Sequence, residues 1–335
     1  MTVLPSDTCL SGDPPVADCS RISFSVAVCT YNGAERVGRV LEYLYAQKDT
    51  KRFGWEIIVI DNNSSDQTKA AIEHYQSAWR GSVPLRYCFE PRQGLAFARQ
   101  CAVEKARGEL IGFLDDDNLP EPDWVAKAFS FAQSHPKAGA YGSYIIGKFE
   151  TEPPQNFERI ASLLALTNRG DKPLFYYPSK KVLPPGAGLV VKKQAWLGNV
   201  PKSCFLQGRV AGHQLPGEDL EALLYIQKAG WEIWYNPEMT LLHCIPSWRL
   251  TPEYLLELCR KVGLSRFYTR MLSVQKWQRP AATLAYMGRD LVKVSRHLIR
   301  YRNRLDGDLI ALCELKLYLN SLVSPFYLLR KQIGL

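Results

Sequence analysis

Two short phosphate-binding signatures are missing from this 335-residue sequence: no GxGxxG follows the first apolar run, and no GxxxxGK with a following Ser or Thr occurs anywhere. A dinucleotide-binding fingerprint and a P-loop are thereby excluded. Paired cysteines are missing too. The nine cysteines form no CxxC pair and no zinc spacing, which argues against a disulfide framework and for a reducing compartment, most of them serving as small buried hydrophobes. The N-terminal MTVLPSDTCLSGDPPVADCS has no basic n-region and no apolar stretch, so it is not a secretory signal; residues 1–20 read as a flexible polar leader. No window reaches the ~18 to 20 uninterrupted apolar residues of a spanning helix. Repeats of fixed period and low-complexity tracts are also lacking. A cytoplasmic protein is expected.

Charge is present but unevenly placed. Residues 266–335 hold thirteen Lys or Arg against four Asp or Glu and so carry the whole formal net charge of +9, the remainder summing to zero. Within that segment Leu284, Met287, Leu291, Val294, Leu298 and Tyr301 recur at steps of three and four, while Arg289, Lys293, Arg296 and Arg300 fall largely off that line. This is the pattern of an amphipathic basic helix. Such a helix either lies on an anionic membrane surface, at about 1 kcal/mol per basic residue, or packs on the rest of the chain. Nucleic acid is not expected as a partner, because no nucleic-acid-binding motif accompanies the charge.

Along the first third of the chain, apolar runs alternate with helical patterns. ISFSVAVCT (22–30), EIIVI (56–60), LRYCFE (85–90) and ELIGFL (109–114) read as strands, each running into a polar loop. Helical periodicity follows the first three, around residues 37–45, 67–78 and 95–106. Residues 148–181 are looser and proline-rich, with one helix expected near 157–166; LPPGAGLVVKK then restores a strand, and GEDLEALLYIQKAGW a helix over 218–228. The alternation predicts a mostly parallel α/β sheet with helices on both faces. Ligands of such sheets bind beyond the carboxyl ends of the strands. That rule gathers Thr30-Tyr31-Asn32, Asp61-Asn62-Asn63, Arg92-Gln93-Gly94 and Asp115-Asp116-Asp117 at one crevice.

The acidic triplet is the chemically loaded element. In GELIGFLDDDNLPEPDW, Asp115 and Asp117 have the spacing to share one face, with Asp116 pointing the other way and expected to matter least. Hard divalent cations take oxygen ligands, and Mg2+ sits on one or two carboxylates plus substrate phosphates. A plainer reading makes the triplet a solvated turn that caps the helix near Trp124. The buried strand before it favours the first reading, since adjacent carboxylates repel unless a cation or donors compensate.

The ordered series VAVCTYNGAERVGRVL, EIIVIDNNSSDQT, QGLAFARQCAVEKARGELIGFLDDDNLPEPDW, PPGAGLVVKK and GEDLEALLYIQKAGW resembles the family 2 glycosyltransferases, over about residues 22–250. HCIPSWRLTPEYLLELCRKVGLSRF further resembles the hormogonium polysaccharide glycosyltransferases of that family. The resemblance implies the GT-A nucleotide-diphospho-sugar transferase fold over residues 21–260, followed by a basic helical appendage over 261–335. It implies a nucleotide-sugar donor held by Thr30, Tyr31, Asn32, Asp61, Arg99, Asp115, Asp116, Gly186, Gly188 and Glu218. Asp117 and His243 would take Mn2+ or Mg2+, Asp219 would be the catalytic base, and Arg249 a further contact to the diphosphate. The acceptor would be a glycan or lipid-linked glycan in surface polysaccharide synthesis.

Helix capping is the plainer reading of Glu218-Asp219, an interior polar role that of His243, and core packing that of Trp231 and Trp234. No QxxRW motif follows the acidic pair, which sets the sequence apart from processive synthases. The expected activity is inverting, metal-dependent transfer from a UDP-sugar. A non-catalytic nucleotide-sugar-binding or scaffold subunit is the alternative, and a nucleotidyltransferase lacks its expected first loop.

Overall fold

The computed structural model describes residues 21–180, 182–208, 215–302 and 305–333, so the expected leader lies outside the described residues. Four apolar runs form a parallel sheet half: β1 (Ile22–Thr30), β2 (Gly54–Asp61), β3 (Leu85–Phe89) and β4 (Leu110–Asp115), in the order β3-β2-β1-β4. Their side chains alternate between two cores because successive residues of a strand point to opposite faces. Val26, Val28, Ile57 and Val59 pack on one side with Val37, Leu41 and Trp124, whereas Ala27, Ile58, Ile60 and Phe113 pack on the other with Ala98 and Ala102. Burial on both faces is why these runs read as continuous apolar stretches. The crossovers are α1 (Val37–Tyr45), α2 (Thr68–Ala78) and α3 (Leu95–Lys105).

Beyond β4 the sheet becomes mixed. It continues through β8 (Val190–Lys192), β6 (Ala138–Phe149), β9 (Glu232–Ile245) and β5 (Asn118–Pro120), with β7 (Leu174–Phe175) paired to β9. Only β6 and β9 are parallel in this half. α4 (Trp124–Ser134), α5 (Lys193–Asn199) and α6 (Glu218–Lys228) complete the layers. The helix expected near 157–166 is two short 3-10 helices, Phe157–Arg159 and Ala161–Leu164, separated by Ile160.

β6 and β9 are the longest strands and the ones the sequence pattern did not disclose. AGAYGSYIIGKF is too rich in glycine and alanine to read as a strand, and EIWYNPEMTLLHCI carries Pro237 in its middle. The pairing absorbs that proline as a bulge: Ser143 faces Asn236, the next residue Tyr144 faces Thr240, and residues 237–239 are left out of the ladder.

The C-terminal helices are α7 (Pro252–Leu272), α8 (Arg279–Tyr301) and α9 (Leu309–Ile333). α7 begins with Thr251 Oγ1 accepting from Tyr254 N and Pro252 in the first turn, and it runs across residues 260 and 261 without a break. Leu255, Leu258, Cys259, Ile310, Cys313 and Leu317 join Phe157, Leu164 and Ile245 in one cluster, so these helices are packed on the sheet domain. Leu309–Arg330 is long and apolar enough by length and composition to cross a membrane, a property obscured in the sequence by Glu314, Lys316 and Asn320. The buried face of α8 is Asp290, Val294 and His297. The apolar line read from the sequence therefore turns largely outward, and Leu284 is 73% exposed.

Trp124 is fully buried, meets Phe24 edge-on with ring centroids 6.3 Å apart, and donates from Nε1 to Ser143 Oγ at 3.0 Å. Trp124→Ala should lower unfolding free energy by about 3–5 kcal/mol in urea titration; a loss under about 1 kcal/mol would show that the two sheet halves are not joined there.

Candidate active site

The carboxyl ends of β1 and β4, the loops after β2 and before α3, and the start of α6 surround a cavity of about 930 Å³. β1 and β4 are neighbours in register, with Cys29 opposite Asp115, so Thr30 stands beside the triplet. The three aspartates have three different surroundings.

Asp116 is the most tightly held. Thr30 Oγ1 donates to its Oδ2 at 2.6 Å, while Arg36 donates from Nε to Oδ1 and from Nη2 to Oδ2, each at 3.0 Å. The same Nη2 reaches the carbonyls of Tyr31 and Asn32 at 3.3 and 3.1 Å. Asp116, expected from the sequence to matter least, thus fastens the loop after β1 to the end of β4. Burial pushes its carboxyl above the usual range, and the Arg36 and Thr30 hydrogen bonds oppose that rise.

Asp117 is placed by strand pairing. β5 runs antiparallel to β9 with Asn118 opposite His243, which sets His243 Nε2 3.3 Å from Asp117 Oδ2. Arg249 Nη1 lies 3.1 Å from the same oxygen and 3.0 Å from His243 Nε2. His243 Nδ1 and Arg249 Nε are buried with no hydrogen-bond partner among the described residues. A carboxylate oxygen beside an imidazole nitrogen fits Mn2+ better than Mg2+, which prefers oxygen alone. No group of three His, Cys, Asp or Glu side chains gathers among the described residues, so Asp117 and His243 would supply no more than two ligands to an ion. Phosphate oxygens of a ligand would complete the shell.

Asp115 belongs to a buried ion-pair network. Arg99, on α3 and 2% exposed, donates from Nη1 to Glu218 Oε1 at 3.1 Å, and its Nη2 lies 3.7 Å from Asp115 Oδ1. Burial raises both carboxyls; Arg99 opposes the rise, with Asp117 adding to it at Asp115 and Asp219 adding to it at Glu218. Gly186 lies against this guanidinium: a Cβ there would come within 2.2 Å of Arg99 Nη2. Gly186 N in turn donates to Asp219 Oδ2 at 2.7 Å, and Asp219 Oδ1 accepts from Leu220 N at 2.8 Å. Glu218 is consequently locked inward, while half-buried Asp219 lines the cavity with a second lone pair on each oxygen.

Ten of the sequence-derived positions line this cavity: Thr30, Tyr31, Arg99, the three aspartates, Gly186, Glu218, Asp219 and His243. Asn32, Asp61 and Gly188 are not among its lining residues. Asn32 braces the loop after β2, accepting from Ser65 N at 2.8 Å, and Asp61 is 2% exposed and accepts from Tyr87 Oη and Ser64 N. Gly188 has φ +62° and a Cβ would lie 2.2 Å from Leu241, so it is required by the turn and the sheet. Trp231 and Trp234 also lie outside the lining, Trp234 packing against Phe131, His135 and Phe175.

Sequence reasoning missed Arg36 and Asn62 as participants. Arg36 had no motif spacing to mark it, while the DNN after β2 marked Asn62 only as part of a polar loop. Asn62 lines the cavity, and its amide holds the loop before α3 through Arg92 O at 2.6 Å and Gly94 N at 2.8 Å.

Arg99→Met strands two buried carboxylates and should cost about 3–5 kcal/mol near neutral pH. Because both carboxyls are raised in the folded state, the destabilisation is full above their folded values and is relieved as pH falls through them. Urea titrations should therefore show the deficit shrinking as the pH is lowered from neutral; a deficit independent of pH would mean that packing alone is lost.

Residues 25–190 match the family model described as "Glycosyl transferase family 2". "Succinoglycan biosynthesis protein ExoM" of Rhizobium meliloti is 26% identical over 121 residues, which cover 36% of this chain and 38% of that protein. "Uncharacterized glycosyltransferase YfnE" of Bacillus subtilis is 30% identical over 156 residues, which cover 44% of this chain and 38% of that protein. The chain therefore aligns with well under half the length of these relatives. In three dimensions it resembles mannosyltransferase PcManGT from Pyrobaculum calidifontis in complex with GDP-Man and Mn2+, with a TM-score of 0.57 at 18% identity over 95% of this chain and 92% of that one. S. aureus TarS 1–349 in complex with UDP-GlcNAc gives a TM-score of 0.50 at 18% identity, covering 91% of each chain. These likenesses establish the GT-A fold, and residues 25–190 form a family 2 glycosyltransferase domain.

Proposed function

We propose that the protein is an inverting, metal-assisted glycosyltransferase that moves one sugar from a nucleotide-sugar, a UDP-sugar in our reading, to a glycan or lipid-linked glycan of a surface polysaccharide. The observation that carries this reading is that one cavity holds both the Asp117–His243 corner with Asp115 and the half-buried Asp219 fixed by Gly186 N. Support for the donor class comes from PcManGT and TarS, whose complexes hold GDP-Man and UDP-GlcNAc. The relatives' names support polysaccharide synthesis, succinoglycan in the case of ExoM.

The acceptor hydroxyl oxygen forms a bond to the anomeric carbon as the bond from that carbon to the diphosphate oxygen breaks. The electron pair of the broken bond leaves on the diphosphate, and the hydroxyl proton passes to a free lone pair of Asp219. Hydrogen bonds from Gly186 N and Leu220 N hold that carboxylate in one orientation before the acceptor arrives. Asp117 and His243 would hold the divalent ion, whose charge would offset that developing on the leaving diphosphate, with Asp115 beside them on the donor side. Arg249, between Asp117 and His243, would turn to a phosphate oxygen when the ion binds. Thr30 and Tyr31 would line the nucleotide end together with Asn62, Asp61 acting from behind by bracing the loop.

The outer faces of α8 and α9 support peripheral contact with the cytoplasmic face of a membrane. Leu284, Leu291, Val292 and Ile299 on α8 and Phe326 and Leu329 on α9 are all more than half exposed, and α8 also carries exposed Arg296 and Arg300 outside the cavity wall.

Asp219→Asn should reduce transfer by about 10²–10⁴-fold with donor binding retained. Asp117→Ala should instead weaken Mn2+-dependent donor binding, read by calorimetry with a panel of nucleotide-sugars. Near-normal turnover in Asp219→Asn would remove that residue as the base. Replacing Leu284, Leu291 and Ile299 together by Ser should lower sedimentation with anionic vesicles, and unchanged binding would remove the membrane proposal.

A further inference from the structure

The cavity is not closed by the sheet domain alone. Its wall continues along one stripe of α7, through Leu258, Val262, Arg266 and Arg270 at steps of four, and along one stripe of α8, through Tyr286, Arg289 and Lys293. The apolar end of the α7 stripe gives way to cations, and α8 adds two more. Four basic side chains and one carboxylate, Asp290, therefore meet in this part of the lining.

The carboxylate is already committed. Arg270 forms a two-point pair with Asp290, one hydrogen bond running from Nη2 to Oδ1 at 2.9 Å. Among the described residues no salt bridge joins Arg266, Arg289 or Lys293 to a carboxylate. Arg266 reaches Ser321 Oγ on α9 at 3.4 Å, and Lys293 Nζ lies 5.9 Å from the Tyr318 ring. The nearby acids of α9 and the loop before it, Glu314 and Asp308, pair with Arg159. Burial lowers the pKa of both Arg266 and Lys293, and the neighbouring cations add to it, Arg270 at Arg266 and Arg266 at Lys293. Holding these charges together costs free energy unless an anion joins them.

We propose that this α7–α8 end of the cavity is a second anion subsite, which takes the phosphate or diphosphate group carried by the acceptor. The inference rests on the transferase reading and specifies its acceptor. Three cations that share only Asp290 nearby and form no salt bridge among the described residues match a doubly charged phosphate group better than the single charge of a sugar carboxylate, and guanidinium groups pair with phosphate oxygens through two parallel hydrogen bonds. In the transferase reading the donor's own diphosphate and its ion would have their partners elsewhere, at Asp117 in the turn between β4 and β5, His243 on β9 and Arg249 just after it. The geometry of α8 also suits an acceptor delivered at an interface. Tyr286, Arg289, Asp290 and Lys293 face the cavity, while Leu284, Leu291 and Ile299, on the other side of the same helix, are exposed. The phosphate's source is either a lipid carrier or a soluble phosphorylated glycan.

The test uses the full chain and the variant Arg289→Gln with Lys293→Gln, both exposed positions, with an unchanged Tm confirming the fold. Inorganic pyrophosphate titrated in the presence of a chelator, which silences the metal-dependent end, should bind the wild type and bind the variant at least about tenfold more weakly. Equal affinities, or no binding to the wild type, would overturn the subsite. UDP with Mn2+ is titrated in parallel: its failure to bind the wild type would count against the transferase reading, whereas unaltered UDP binding alongside weakened pyrophosphate binding supports two separate anion sites. Vesicles containing a polyprenyl phosphate are then compared with phosphatidylglycerol vesicles of equal charge. Loss of preference for the former in the variant supports a lipid carrier, and competition of pyrophosphate by a soluble sugar phosphate without any vesicle preference supports a soluble glycan. Equal loss on both vesicle types with unchanged pyrophosphate binding would reduce the cations to general surface charge and sink the proposal.

Discussion

A single buried guanidinium organises the centre of this protein. Arg99 draws together two carboxylates that are far apart in the chain, Asp115 at the end of β4 and Glu218 at the start of α6. Removing a cation and its partners from water is expensive, and the mutual attraction repays it only if the geometry is held closely. Here the holding is done by backbone: Gly186 lies so close that no larger residue fits without displacing Arg99, and its amide then fixes Asp219. The carboxylate facing the cavity is therefore oriented by a chain of contacts that begins beneath it.

The same economy explains the acidic triplet. Three adjacent aspartates would repel one another strongly if they shared one environment, so each has its own compensating cation: Arg99 for Asp115, Arg36 for Asp116 and Arg249 for Asp117. Only the last two residues of the triplet have direct hydrogen bonds to their arginine, and Asp116 spends its bonds on the loop after β1. Asp115 and Asp117, with the imidazole of His243, are left as the groups that a cation and a diphosphate would rearrange.

The C-terminal helices are part of the site as well as an appendage to the domain. Their apolar contacts with Phe157, Leu164 and Ile245 seat α7 over the cavity, and Tyr268 Oη donates to Glu221 of α6 at 2.7 Å, joining them to the helix that carries Asp219. The basic surplus of residues 266–335 is thus split between an inward stripe and an outward face, a division that helical periodicity permits within one element.

Much of the fold was legible in the sequence because both-faces burial leaves a plain mark. β1, β2 and β4 are predominantly apolar runs, and the polar residues that end them had to lie at one edge once the strands were parallel. α6 and α8 were readable from period and flanking residues. The sequence by itself determined the strand-end chemistry: which carboxylates, which glycines and which order. Tertiary structure decided the rest, since it depends on pairing across distance. β6 and β9 carry no local strand signal, and their register alone brings His243 to Asp117. Asn32 and Asp61 stand beside cavity-lining residues in sequence yet face other elements, because a step of one residue redirects a side chain, and the Gly188 backbone packs against Leu241 and Ser143. Arg36 and the cations of α7 and α8 look like ordinary surface charge until packing sets them against a cavity, and only that placement gives their charge a consequence.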